Sequence, residues 1–159
     1  VLVNNASELG GIRAVTDVNV AVLERVFRVN VVAPVALLQL ARPLLAERGG
    51  LVVNVSSDAA RGGYPGWGAY GATKAALDLL SKTLDAELRE AGIAVVSVDP
   101  GDMRTRMHQE AFPGEDISDR PLPEVTIPFW HWLFAQDART LGGRRLAAQQ
   151  EEARWLQPV

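Results

Sequence analysis

The chain contains no cysteine and only two histidines, His108 and His131. That excludes disulfides, thiolate-bound metals and a cysteine nucleophile, and it puts a multi-histidine metal centre out of reach. Lysine is just as scarce: of 16 basic residues only Lys74 and Lys82 are lysine, so a motif that requires one is informative. Positive charge is not in surplus. With a net charge of −3, nothing is organised to neutralise phosphates, which argues against a nucleic-acid partner. Long hydrophobic runs are missing too, since the longest apolar stretch, Val29 to Leu38, is broken by Asn30 and Pro34 and falls short of a membrane span. No basic-then-apolar leader opens the chain, so a cytoplasmic protein is expected.

What remains is 159 residues, 48% hydrophobic and 22% charged, with no repeats and no low-complexity tract. This suits one domain over residues 1–159, able to bury roughly two-thirds of its unfolded surface. Val1 to Asn5 is a short β-branched run and reads as a buried strand. Thr16-Asp17 marks a helix start with apolar positions at Val22, Val26 and Val29, and a second helix runs from about Asn30 to Arg48. Pro34 suits the first turn of that helix, and Pro43 is expected to bend its end.

Leu51 to Ser57 is the clearest strand, followed by a glycine-rich loop over Asp58 to Gly68. A helix from about Ala69 to Ala91 closes at Gly92, and Ile93 to Val98 forms another strand stopped by Pro100-Gly101. Asp102 to Pro123 shows no period and reads as a substrate loop or lid. Val125 to Ala135 resumes as an aromatic-rich helix, and Arg145 to Ala148 is a last short strand. Strands alternating with long helices predict α/β architecture: about four strands of a doubly wound, Rossmann-like parallel sheet.

Tyr70 and Lys74 stand four apart at the start of a helix and so share a face. A phenol is a poor base at neutral pH, but an adjacent ammonium stabilises the phenolate. Ser57 ends a strand, where a parallel sheet presents its functional groups, and the following loop leads back to Tyr70. A chance YxxxK is common on helices, so the surrounding spacing decides. Asn30 lies 26 residues after Asn4, Ser57 lies 27 after Asn30, Tyr70 lies 13 after Ser57, and Pro100 lies 30 beyond Tyr70.

The stretches VLVNNAS, RVNVVAP, LVVNVSS, YGATKAAL and VSVDPGDMRT resemble, in order and spacing over Val1 to Thr105, the short-chain dehydrogenase/reductase family. The resemblance implies an NAD- or NADP-dependent oxidoreductase that interconverts an alcohol with a ketone or aldehyde. Tyr70 would be the general acid/base, Lys74 would lower its pKa and bind the nicotinamide ribose, Ser57 would hold the substrate oxygen, and Asn30 would anchor a relay water. Asn5, Ala6 and Ser7 would lie beside the cofactor, and Pro100, Gly101, Met103 and Thr105 would hold its nicotinamide end. A homodimer or homotetramer through the two long helices is also implied, with Ala76, Leu80 and Leu84 as one apolar stripe. A sheet-packing face explains that stripe equally well.

The sequence departs from the family at Ser7, where glycine is usual, and at Asp99, where asparagine is usual and a negative charge now enters the pocket. The glycine-rich phosphate turn expected before Asn4 is absent, so about 80 residues of N-terminal strand–helix units are expected to be missing and this stretch to be inactive alone. The rival reading is a truncated, non-enzymatic relative that serves as a binding or assembly module.

Gly66 to Gly71 spells G-x-G-x-x-G, but eight residues separate it from Ser57, so it does not follow a strand directly as a pyrophosphate turn must. No G-x-S-x-G surrounds any serine, which leaves a hydrolase triad with His108 or His131 without support. Phe129, Trp130 and Trp132 line a substrate pocket or pack in a core, and the Arg104, Arg106 and Arg120 group decorates a solvated loop.

Overall fold

A computed structural model describes residues 1–156; the last three of the expected 1–159 domain lie outside it. Strands β1 (Leu2–Asn4), β2 (Leu51–Val55), β3 (Ala94–Asp99) and β4 (Arg145–Ala147) form one parallel sheet in the order β1-β2-β3-β4. All four stand where the sequence places them. The register aligns Asn4 with Asn54, Asn54 with Ser97, and Val98 with Leu146.

A parallel sheet is covered on both faces, so its strands must be apolar on both. Val53, Val95, Val96 and Val98 are completely buried. Leu51, Val53, Val96 and Val98 pack on one face against Phe129, Leu133 and Leu141, while Val52 and Val95 pack on the other against Leu38, Leu45 and Leu88.

Asparagine in the middle of a buried valine strand needs partners for its amide. Asn54 Nδ2 donates to Ser81 Oγ at 2.8 Å, and its Oδ1 accepts from Asn4 Nδ2 at 2.7 Å. This ladder fixes β1 and the helix behind the sheet on β2. Asn54→Ala is expected to cost about 2 kcal/mol in urea unfolding, because two buried partners lose their bonds together. A loss under about 0.5 kcal/mol would show that the ladder does not hold the sheet.

The two expected helices before β2 are one continuous run. Helix α1 (Val20–Phe27) passes through a π-helical stretch at Arg28–Val32 into α2 (Ala33–Ala46). Asn19, not Thr16, caps the start, its side chain accepting from the Ala21 N–H at 2.8 Å. The π turn arises where Pro34 has no N–H to donate to Asn30, four residues back, and Ala33 instead donates to Arg28. By length and apolarity alone the run Val20–Ala46 passes for a bilayer-crossing helix, longer than its sequence suggested. Here it packs on the sheet through Leu38 and Leu45, with Asn30 buried and fully hydrogen-bonded.

Helix α3 (Gly68–Leu88) ends in a 3₁₀ turn at Arg89–Ala91 and reverses at Gly92, whose φ of +73° suits glycine. A Cβ on Gly71 would come within 2.6 Å of the Ala59 carbonyl, so glycine lets the loop after β2 lie against α3.

The 102–123 segment is not featureless. It contains helix α4 (Arg106–Ala111), capped by Thr105 and paired Arg106–Glu110 at 2.7 Å. Six residues are too few to show a period in sequence. Arg104 laces the rest, its guanidinium donating to the Ser118 carbonyl at 2.6 Å and its N–H to Pro121 at 2.7 Å. The aromatic helix α5 (Ile127–Ala135) belongs to the core: Phe129 is fully buried and meets Trp155 edge-on at 5.4 Å. A short α6 (Ala138–Leu141) leads into β4.

Candidate active site

The C-terminal ends of β2 and β3 open into a cleft of about 130 Å³. Ser57 follows β2 by two residues and caps a 3₁₀ turn at Asp58–Ala60, its Oγ accepting from the Ala59 N–H at 3.2 Å and donating to Asp58 Oδ1 at 3.0 Å. The loop then turns through Gly66 into α3, whose first two turns carry Tyr70 and Lys74. Both are buried. Lys74 Nζ sits 5.4 Å from the centre of the Tyr70 ring and donates to the Val55 carbonyl at 2.7 Å, hooking α3 to the end of β2. Ser57, Tyr70, Pro100, Gly101, Met103 and Thr105 all line the cleft.

Burial dominates the electrostatics. It pushes the Tyr70 phenol up to about 12, with the Asp99 and Asp58 carboxylates adding and the Ser57 and Ser7 hydroxyls opposing. It pushes the Lys74 ammonium down to about 8, against the pull of Asp78 one helical turn further on. The expected depression of Tyr70 by Lys74 does not show here: loss of solvent sets the direction, and the groups opposing it are the Ser57 and Ser7 hydroxyls.

The cleft has room and donors for a polar ligand. Ser56 Oγ lines it, is buried and has no partner among the described residues. Of the three N–H groups of Lys74, one is taken, by Val55. The unpartnered Ser56 hydroxyl fits a ligand rich in hydroxyl and carbonyl groups, as a nicotinamide riboside is, whereas Lys74 is buried outside the cleft lining.

The short chain dehydrogenase family model matches residues 1–116. The chain belongs to that family. The uncharacterized oxidoreductase YciK of Escherichia coli K12 is 34% identical over 149 residues, covering 93% of this chain and 59% of that protein. A benzil reductase of Bacillus subtilis, forming (S)-benzoin, is 36% identical over 67% of this chain and 45% of its own length. The solved structure of E. coli YciK superposes with a TM-score of 0.85 at 35% identity, covering 92% of this chain and 60% of that one. A short-chain dehydrogenase from E. coli CFT073 complexed with NADPH gives 0.86 at 34% identity, covering 93% and 62%. The chain thus spans between 45% and 62% of the length of these relatives.

Within this short-chain dehydrogenase the remaining expected site residues, Asn5, Ala6, Ser7, Asn30 and Lys74, fall outside the cleft lining. Asn5 and Ala6 are exposed on the loop after β1. Asn30 is buried, and its amide is consumed locally: Oδ1 accepts from the Glu8 N–H at 2.8 Å and the Ser7 hydroxyl at 3.1 Å, and Nδ2 donates to the Glu8 carbonyl and Thr73 Oγ1. A relay water would thus have to use the Asn30 main-chain carbonyl, to which Pro34 cannot donate. Ser7, in place of glycine, is absorbed by this contact. Thr105 Oγ1 accepts from the His108 N–H at 3.2 Å as the cap of α4.

Trp67, Met107 and His108 line the cleft and were not foreseen as site residues, because they carry no spacing signal of their own. An adjoining chamber of about 430 Å³ is lined by Tyr64, Trp67 and Phe112 together with Pro65, Asp58 and Asp102.

Proposed function

We propose that the full-length protein is an NAD(P)-dependent oxidoreductase that reduces a small-molecule ketone or aldehyde to an alcohol at neutral pH. The observation that carries this reading is the meeting of Ser57 and Tyr70 in one cleft at the C-terminal ends of β2 and β3, with the buried Lys74 ammonium 5.4 Å from the Tyr70 ring. Ser57 holds the carbonyl oxygen. Tyr70 gives it a proton: a phenol pushed up to about 12 rests in the acid form, so reduction needs no prior deprotonation. Lys74 binds ribose hydroxyls with its unused N–H groups, Asn5, Ala6 and Ser7 flank the cofactor, and Pro100 to Thr105 holds its nicotinamide end. The nicotinamide supplies the hydride chemistry. The NADPH complex of a relative supports this assignment.

The aromatic walls of the adjoining chamber favour an aryl carbonyl, and benzil, the substrate named for one relative, is the first compound to try. The test is loss of NADPH absorbance on adding benzil and simpler aryl ketones to the full-length protein. Turnover abolished by Tyr70→Phe supports the reading. Tight NADPH binding without turnover of any carbonyl or alcohol would overturn it in favour of a cofactor-binding module.

A homodimer or homotetramer is part of this proposal. Leu40 is 78% exposed and Leu44 71% on α2, and Leu79 is 67% exposed on α3. Of the stripe expected to pair, Leu84 packs inward on the sheet cluster, so the outer leucines are the better contact. Leu40→Glu with Leu44→Glu is expected to halve the mass seen by light scattering; an unchanged mass would place the contact elsewhere.

A further inference from the structure

Strand β4 carries Arg145 into the interior, where its side chain is only 4% exposed. A guanidinium at that depth requires partners for both its charge and its N–H groups. Nε donates to Asp78 Oδ2 on α3 at 3.0 Å. Nη2 donates to Asp99 Oδ2 at the end of β3 at 2.9 Å, and to the main-chain carbonyl of Ser57 at 2.8 Å. Each partner stands one step from the chemistry. Asp78 is one helical turn beyond Lys74, Ser57 holds the substrate oxygen, and Asp99 also accepts from the Gly101 N–H at 3.0 Å, fixing the Pro100-Gly101 turn.

The charged and titratable groups around Tyr70 are Lys74 and Asp78 on α3, Asp58 from the loop after β2, Asp99 from β3, Asp102 before α4, His108 on α4 and Arg145 from β4, while the loop after β1, whose Leu9 and Ile12 pack with Tyr70, brings Glu8, itself paired with Arg25. At neutral pH the set of Asp78, Asp99, Lys74 and Arg145, largely withdrawn from solvent, sums to zero charge. Without Arg145 it carries one uncompensated carboxylate facing the phenol. The same residue therefore answers the departure seen in the sequence: the negative charge that Asp99 brings to the pocket has its counter-charge on the neighbouring strand.

We propose that Arg145 is a positioning residue of the active site, clamping the Ser57 carbonyl and the Pro100-Gly101 turn while neutralising Asp99 beside Tyr70. This rests on the oxidoreductase reading above. The test compares the full-length protein with Arg145→Met, Asp99→Asn and the double variant, following kcat/KM for carbonyl reduction against pH, NADPH affinity and thermal midpoint. Arg145→Met is expected to move the alkaline limb of the profile up by about one pH unit and to lower kcat/KM at neutral pH about tenfold. NADPH affinity should stay within about threefold of the parent.

Asp99→Asn alone is expected to move the limb down, and in the double variant the limb and most of the lost thermal midpoint should return. Loss of activity at every pH with an unmoved limb and no rescue would make Arg145 a structural residue only and overturn the proposal. If Arg145→Met does not fold, an unmoved limb in Asp99→Asn overturns it equally. If the parent turns over nothing, the oxidoreductase reading has failed, and rescue of the thermal midpoint by Asp99→Asn still decides whether Arg145 and Asp99 are coupled.

Discussion

Tyr70→Phe in the full-length protein is expected to lower kcat for carbonyl reduction by at least about a thousandfold while NADPH affinity stays within about threefold. The substitution removes one oxygen and keeps the ring, which is nearly buried and meets Trp67 edge-on at 6.0 Å, so the fold of the cleft should survive. What would be lost is the proposed proton donor. The Ser57 hydroxyl can then hold the developing alkoxide but, already engaged with Asp58, is a poor acid to replace the phenol.

The pH dependence follows from the same burial. A phenol held at about 12 stays protonated through neutral pH, so parental reduction should be flat there and fall only in alkali. Alcohol oxidation needs the phenolate and should climb about tenfold per pH unit over the same range. Tyr70→Phe should erase the climb. If the variant kept a tenth of the parental rate, the proton would come from another group and the assignment of Tyr70 would be lost.

The first three strands were legible because each is rich in β-branched residues and closed by a punctuating pair: Asn4-Asn5, Ser56-Ser57, Pro100-Gly101. The helical Tyr70–Lys74 pair was legible because spacing of four on a helix forces a shared face. What escaped depends on contacts between distant segments. Nothing local distinguishes two short helices around Asn30 from one run with a π turn; Pro34 signals a first turn in either case.

Helix α4 is held by a single cap and one ion pair, too little pattern to read in six residues. The aromatic helix showed apolar character without direction, and only packing against Trp155 separates a core from a pocket. Arg145 was read as part of a strand and nothing more. A charged residue in an apolar strand signals a buried partner, yet its partners Asp78 and Asp99 lie 67 and 46 residues away.

Lys74→Met carries the second large expectation, since the lysine proposed to serve the chemistry works against the fold. Its folded pKa, about 8, lies below the ordinary 10.5 because burial penalises the ammonium more than Asp78 supports it. The unfolded chain therefore holds that proton more tightly, and at neutral pH the buried charge costs about 3 kcal/mol of stability. Between about pH 8 and 10.5 the unfolded state binds more protons, so parental stability should rise with pH through that window. Tyr70 acts with the opposite sign. Its folded value of about 12 exceeds the ordinary 10, so its contribution is complete below about pH 10 and is lost as pH climbs towards 12.

Methionine follows the lysine stem to Cε and ends one atom short, without charge, and it leaves the Val55 carbonyl without its donor, at about 1 kcal/mol. Lys74→Met should thus unfold at higher urea than the parent at pH 7, lose the rise above pH 8 and keep the fall above pH 10. Turnover should drop on the order of a thousandfold in the same variant, because the ribose loses its ammonium and the phenolate its nearest cation. Parallel stability curves for variant and parent between pH 8 and 10.5 would mean that the ammonium is not desolvated as its 2% exposure implies, and the role of Lys74 at the end of β2 would have to be reassigned.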